Sequence, residues 1–95
     1  MEIEIDGSGI KTEGDFHSVI SKALSLSPYY GRNLYALFDT IGTGIERPIV
    51  LVWKNSAISK EALGDDFDKI VGVLRRVELQ DIEWGWSERF ELILR

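Results

Sequence analysis

The chain has 95 residues, sixteen Asp and Glu against eleven Lys and Arg, a formal net charge of −5 and no cysteine. That length supports one hydrophobic core and predicts a single domain over residues 1–95. The missing cysteines exclude a disulfide framework and a thiolate metal site. The acidic balance argues against direct nucleic-acid binding, which needs cations to neutralise phosphates, and it fits a basic protein partner.

In chain order, Glu2-Ile3-Glu4-Ile5 alternates with period two and meets Asp6-Gly7-Ser8-Gly9, which reads as a strand ended by a turn. This acidic start differs from a basic-then-apolar export signal, so a cytoplasmic protein is expected. Phe16, Val19, Ile20, Ala23 and Leu24 then share one helical face, with Thr12 or Gly14-Asp15 as its cap and Pro28 barring continuation past Ser25. Asn33 is a good N-cap for a second helix with Leu34, Leu37, Phe38 and Ile41 inward, stopped by Gly42 and Gly44. Ile49 to Trp53 is the longest apolar run. It is far short of the roughly 20 residues of a membrane helix, and it reads as a strand covered on both faces.

Ser56 to Gly64 holds a short helix. From Asp65 a further helix turns Phe67, Ile70, Val71, Leu74 and Val77 inward, with acids at its start and Arg75-Arg76 near its end. Phe90, Leu92 and Leu94 alternate with Glu91 and Ile93 as a last strand. The order strand, helix, helix, strand, helix, strand requires crossover connections. It predicts an α/β fold, with a three-stranded parallel sheet packed against three to four helices.

Chemistry is sparse. The one histidine, His17, falls off the apolar face and is read as a solvated residue, because catalysis would require an orienting neighbour. No Gly-x-Ser-x-Gly elbow or phosphate-binding Gly-Lys-Ser/Thr loop is present. Asp65, Asp66 and Asp68 are capping and dipole groups. The sequence predicts no enzyme, no metal and no cofactor. Trp84-Gly85-Trp86 is read as cover over the sheet edge or the end of the last helix, with an exposed aromatic anchor as the alternative. In the second helix, Tyr35 and Asp39 are i, i+4 neighbours opposite the apolar face. Together with Tyr29 and Asn33 they form a surface that can stack and accept hydrogen bonds, whereas Tyr30 is assigned to the core.

Tyr29-Tyr30-Gly31-x-Asn33-Leu34-x-Ala36-Leu37-x-Asp39, followed by Glu46-x-Pro48 and an apolar strand, resembles the signature of the barstar family, inhibitors of small ribonucleases. The resemblance implies an intracellular inhibitor, of immunity or antitoxin type. Its second helix and the preceding loop would plug the active site of a small basic ribonuclease or toxin nuclease domain. It implies interface roles for Tyr29, Gly31, Asn33, Leu34 and Asp39, and a weaker match at Glu46. Asp39 would stand in place of an RNA phosphate. The partner-binding surface expected on this basis also takes in Tyr35, Phe38, Thr43, Gly44 and Arg76. Tyr35 and Arg76 occupy positions where the resemblance suggests acids, and Phe38 and Gly44 positions where it suggests tryptophans, so a different target is expected. A regulatory module of the same fold with a non-nuclease partner is the alternative.

Overall fold

The computed structural model describes residues Met1 to Arg95. In chain order it has β1 (Glu2–Asp6), a 3-10 turn (Gly7–Gly9), α1 (Glu13–Ala23), α2 (Leu34–Thr43), β2 (Ile49–Lys54), α3 (Ser56–Leu63), α4 (Asp65–Glu83) and β3 (Phe90–Leu94). The strands form one parallel sheet in the order β1-β2-β3. Ile3 stands opposite Leu51, and Leu51 opposite Leu92. Parallel neighbours need long crossovers, and the helices in those crossovers cover the sheet. The central strand is accordingly sealed, with Ile49, Leu51, Val52 and Trp53 all buried.

Trp53 organises the core. Its indole stacks on Phe16 of α1 and tilts against Phe67 of α4, each with centroids 5.1 Å away. The indole N–H donates to the Ser59 hydroxyl at 3.0 Å, and that hydroxyl donates to the Gly7 carbonyl at 2.7 Å. The largest core side chain thus keeps no unpaired polar atom. Gly7 permits this closure, because a Cβ there would lie 2.7 Å from the carbonyl oxygens of Lys54 and Asn55.

The helix starts follow the sequence. Thr12 and Asp15 form a reciprocal capping box at α1, and the Asn33 side chain accepts the Ala36 N–H at 2.8 Å at the start of α2. Two expectations at helix ends are corrected. Gly42 does not stop α2: it lies buried inside the helix, and Gly44 is the cap, donating its N–H to the Thr40 carbonyl at 2.8 Å. Without a side chain, Gly42 lets Gln80 of α4 reach its carbonyl at 3.1 Å. Arg75 and Arg76 also do not lie near a helix end. α4 continues to Glu83, and its last turn contains no base. The inward stripe of Phe67, Ile70, Leu74 and Val77 extends one step further to Asp81, a carboxylate that apolar periodicity does not register. No helix is long and apolar enough to cross a membrane.

Candidate functional site

The second helix divides as its phase requires. Leu37 and Ile41 are fully buried, whereas Leu34 and Phe38 are half-buried and pack against the core from its margin. Tyr35, Asp39 and Thr43 form an exposed ridge at i, i+4 and i+8, with Tyr35 86% exposed. The Thr43 hydroxyl donates to the Asp39 backbone carbonyl at 2.9 Å, and the Asp39 carboxylate itself has no partner in the chain. A solvated carboxylate with free lone pairs suits charge-assisted bonds to an incoming guanidinium or ammonium group.

Beside this ridge, Leu34, Tyr35, Phe38, Asp39, Val73 and Arg76 line a groove of about 540 Å³ between α2 and α4. Arg76 lies with its guanidinium carbon 4.9 Å from the centre of the Phe38 ring. This cation–π contact places a positive charge in the same groove as Asp39, with no ion pair between the two.

The loop before α2 is held by His17, contrary to the expectation of a solvated side chain. His17 is not solvated: it is buried, with Nδ1 2.7 Å from the Tyr30 hydroxyl and Nε2 2.9 Å from a Glu13 carboxylate oxygen. The carboxylate can only accept, so Nε2 carries the proton and, in the neutral ring, Nδ1 accepts from Tyr30. Burial pushes the Tyr30 hydroxyl up to about 12; Arg32 opposes the shift and Glu13 adds to it. Tyr30 therefore remains a donor. His17 shares a face with Ile20 and Leu24, and Glu13 one turn earlier was the available sign of a paired, buried imidazole.

The rest of the loop is fixed as well. Arg32 adopts a positive φ of 53° and its guanidinium donates to Ser18 of α1, while the Asn33 side-chain amide donates to the Gly31 carbonyl at 3.3 Å. A Cβ at Gly31 would press on that of Ala36 at 3.0 Å. With its neighbours tied down, Tyr29 projects into solvent at 93% exposure.

On the other side of the ridge, the loop carrying Gly44 and the exposed Glu46 is anchored by a second feature absent from the sequence reading. Arg47 and Asp81 form an ion pair with side chains only 7% and 0% exposed. Arg47 Nε and Nη2 donate to the carboxylate at 2.9 and 3.2 Å, Nη1 donates to the Ile45 carbonyl at 2.7 Å, and Nη2 also donates to the Gly42 carbonyl at 3.2 Å. Asp81 also accepts the Phe90 N–H at 2.7 Å. Burial alone would raise the Asp81 pKa, but the bonds from Arg47 and Phe90, with the charges of Arg47 and Arg89, hold it below the usual carboxylate range. One ion pair thus joins the ends of α2 and α4 to the start of β3. Nothing in local sequence links positions 34 residues apart.

Trp84 and Trp86 follow directly. They pack edge to face with centroids 5.2 Å apart, and the Arg47 guanidinium carbon sits 5.5 Å from the centre of a Trp86 ring. Both indoles stay partly exposed, Trp84 the more so. No group of three or more His, Asp or Glu side chains is gathered as a metal site would require.

The sequence model of one protein family, described as Barstar (barnase inhibitor), matches residues 1–93. The chain is also similar to a Bacillus subtilis (strain 168) protein named "Putative ribonuclease inhibitor YrdF", 34% identical over 82 residues that span 84% of this chain and 90% of the relative. The chain belongs to the barstar family. In this barstar-family chain, Tyr29, Gly31, Asn33, Leu34, Tyr35, Phe38 and Asp39 lie on the pinned loop and on α2, Thr43 ends that helix, Gly44 and Glu46 lead away from it, and Arg76 faces it from α4.

Proposed function

We propose that this chain is an intracellular ribonuclease inhibitor, of immunity or antitoxin type. It acts by blockade of the active site and not by catalysis. Its partner is a small, basic ribonuclease or toxin nuclease domain, and the acidic net charge of −5 favours encounter with such a protein. The pinned loop with Tyr29 and the outer ridge of α2 enter the catalytic cleft. Asp39 takes the place of an RNA phosphate among the cationic groups that bind substrate. The observation that carries this reading is the unpaired, solvated Asp39 carboxylate on a preorganised ridge, in a chain of the barstar family. Family membership and the name of the relative support the inhibitor role itself.

The test is Asp39→Ala, assayed by titrating inhibition of the partner ribonuclease. Truncating one side of a buried interfacial charge pair costs about 2–5 kcal/mol or more, a range to which the barnase–barstar complex itself contributes. The expected loss of affinity is therefore from about 30-fold to several thousand-fold. Wild-type binding should be nanomolar or tighter, with an association rate that falls as salt rises. Equal inhibition by Asp39→Ala would remove the proposed mechanism. Arg76, a cation in the groove beside Asp39 at a position where the family resemblance suggests an acid, favours a second reading in which the partner is not a nuclease. A captured partner that lacks ribonuclease activity once separated would select that reading.

A further inference from the structure

The groove beside Asp39 does not end at Arg76. Phe38 and Arg76 also border a second recess of about 330 Å³, whose other walls are Leu79, Gln80, Glu83 and Trp84. Arg76, Leu79, Gln80 and Glu83 recur at i, i+3, i+4 and i+7, so they form one stripe on α4. At 1.5 Å per residue, Trp84 carries the trench about 12 Å beyond Arg76. Its far end is open and amphipathic: Leu79 is 56% and Trp84 53% exposed, with Glu83 beside them.

Trp84 is backed by Trp86. Gly85, at a φ of 72°, turns the chain so that Trp86 meets Trp84 edge-on. Trp86 is faced by Arg47, which Asp81 locks. An exposed aromatic backed by an ordered neighbour has the character of an interface anchor.

We infer that the recess formed by Phe38, Arg76, Leu79 and Trp84 is a second contact for the same nuclease, outside its catalytic cleft, and that it selects among nucleases. The inference rests on the inhibitor reading above. The occupant is a segment at the rim of the cleft, with an acidic side chain opposite Arg76 and an apolar one directed at Leu79 and Trp84. Arg76 lies over Phe38 and makes no hydrogen bond within the chain, so its donors remain for a carboxylate. Glu83 at the far end repels a second acid and fixes that order along the trench. Size also allows the extension: α2 supplies 10 residues, whereas an interface of ordinary size takes about 20–30 on each side.

The test uses the full chain and the ribonuclease it captures from an extract of its native cell, identified by its activity after separation. The double variant Leu79→Ser with Trp84→Ala should raise Kd at least about tenfold, through faster dissociation. The association rate and its salt dependence should hold, because apolar contacts do not steer encounter. Thermal unfolding checks that the variant is folded, and Leu79→Ser alone repeats the test without touching the indole pair and without changing charge. If Asp39→Ala weakens inhibition while both Leu79 variants bind within about twofold of wild type, the second contact is wrong and the inhibitor reading stands. If no ribonuclease is captured, or Asp39→Ala changes nothing, the inhibitor reading fails and the second contact fails with it.

Discussion

Truncating Asp81 to alanine tests whether the Arg47 ion pair holds the loop after α2 and the indole pair in place. The variant removes the acceptor of Arg47 Nε at 2.9 Å, of Nη2 at 3.2 Å and of the Phe90 N–H at 2.7 Å. Arg47 keeps its bonds to Ile45 and Gly42, but its charge is left without a counter-ion at 7% exposure. Breaking a buried pair from one side typically costs about 3–5 kcal/mol. A recess of about 580 Å³ lined by Ile45, Arg47, Gly85, Trp86, Ser87 and Glu88 gives water a route to the guanidinium. That route places the expected loss near the lower end, about 3 kcal/mol, out of a total of about 5–15 kcal/mol for a domain of this kind. Tm should fall by about 12–24 °C and the urea midpoint by about 1–3 M, read from tryptophan fluorescence because Trp86 lies against the site.

Acid unfolding supplies a second readout of the same pair. The native Asp81 pKa is depressed, so its stabilisation is fully present above the unfolded value near pH 4 and drains away as pH falls through the native one. The stability of Asp81→Asn should therefore fall less steeply below about pH 4 than that of wild type. Replacing both partners, Arg47→Met with Asp81→Leu, should recover the part of the loss due to the unpaired charge, but not the part due to the Phe90 N–H, which stays without an acceptor. A loss below about 1 kcal/mol in Asp81→Ala, with an unchanged denaturant slope, would refute the assignment of this pair as the anchor.

Tyr30→Phe leaves buried His17 Nδ1 without its donor and should cost about 1–3 kcal/mol in urea unfolding, with faster amide exchange across residues 28–33; unchanged exchange there would show that the hydroxyl does not pin the loop. Asp6 is held at about 2, chiefly by the Asn55 side chain and then by the backbone and hydroxyl of Ser8. Asn55→Ala should raise that pKa toward the ordinary carboxylate value, read by NMR titration. Because the native value is the depressed one, this contact stabilises the fold above about pH 4 and stops doing so as pH falls toward 2.

Local sequence carried the frame of this protein. Period-two and period-3.6 patterns located the strands and helices, Asn33 and Thr12 announced helix starts, and the need for crossovers implied parallel pairing. The phase of α2 alone separated Leu37 and Ile41 from Tyr35 and Asp39, because 3.6 residues per turn leave no other division of faces. Tertiary structure decided where polar side chains go when they face inward. His17 and Asp81 both occupy core-facing positions, and neither is fully satisfied until a distant residue joins it: Tyr30, completing the bond from local Glu13, for one, and Arg47 for the other. Burying such groups is unfavourable until the partner arrives, and no local pattern encodes a partner that the fold alone brings within bonding distance. The same contacts hold the loops on both flanks of Asp39. The sequence therefore determined which face of α2 is exposed, and the packing of remote polar pairs determined how the loops on its two flanks are held.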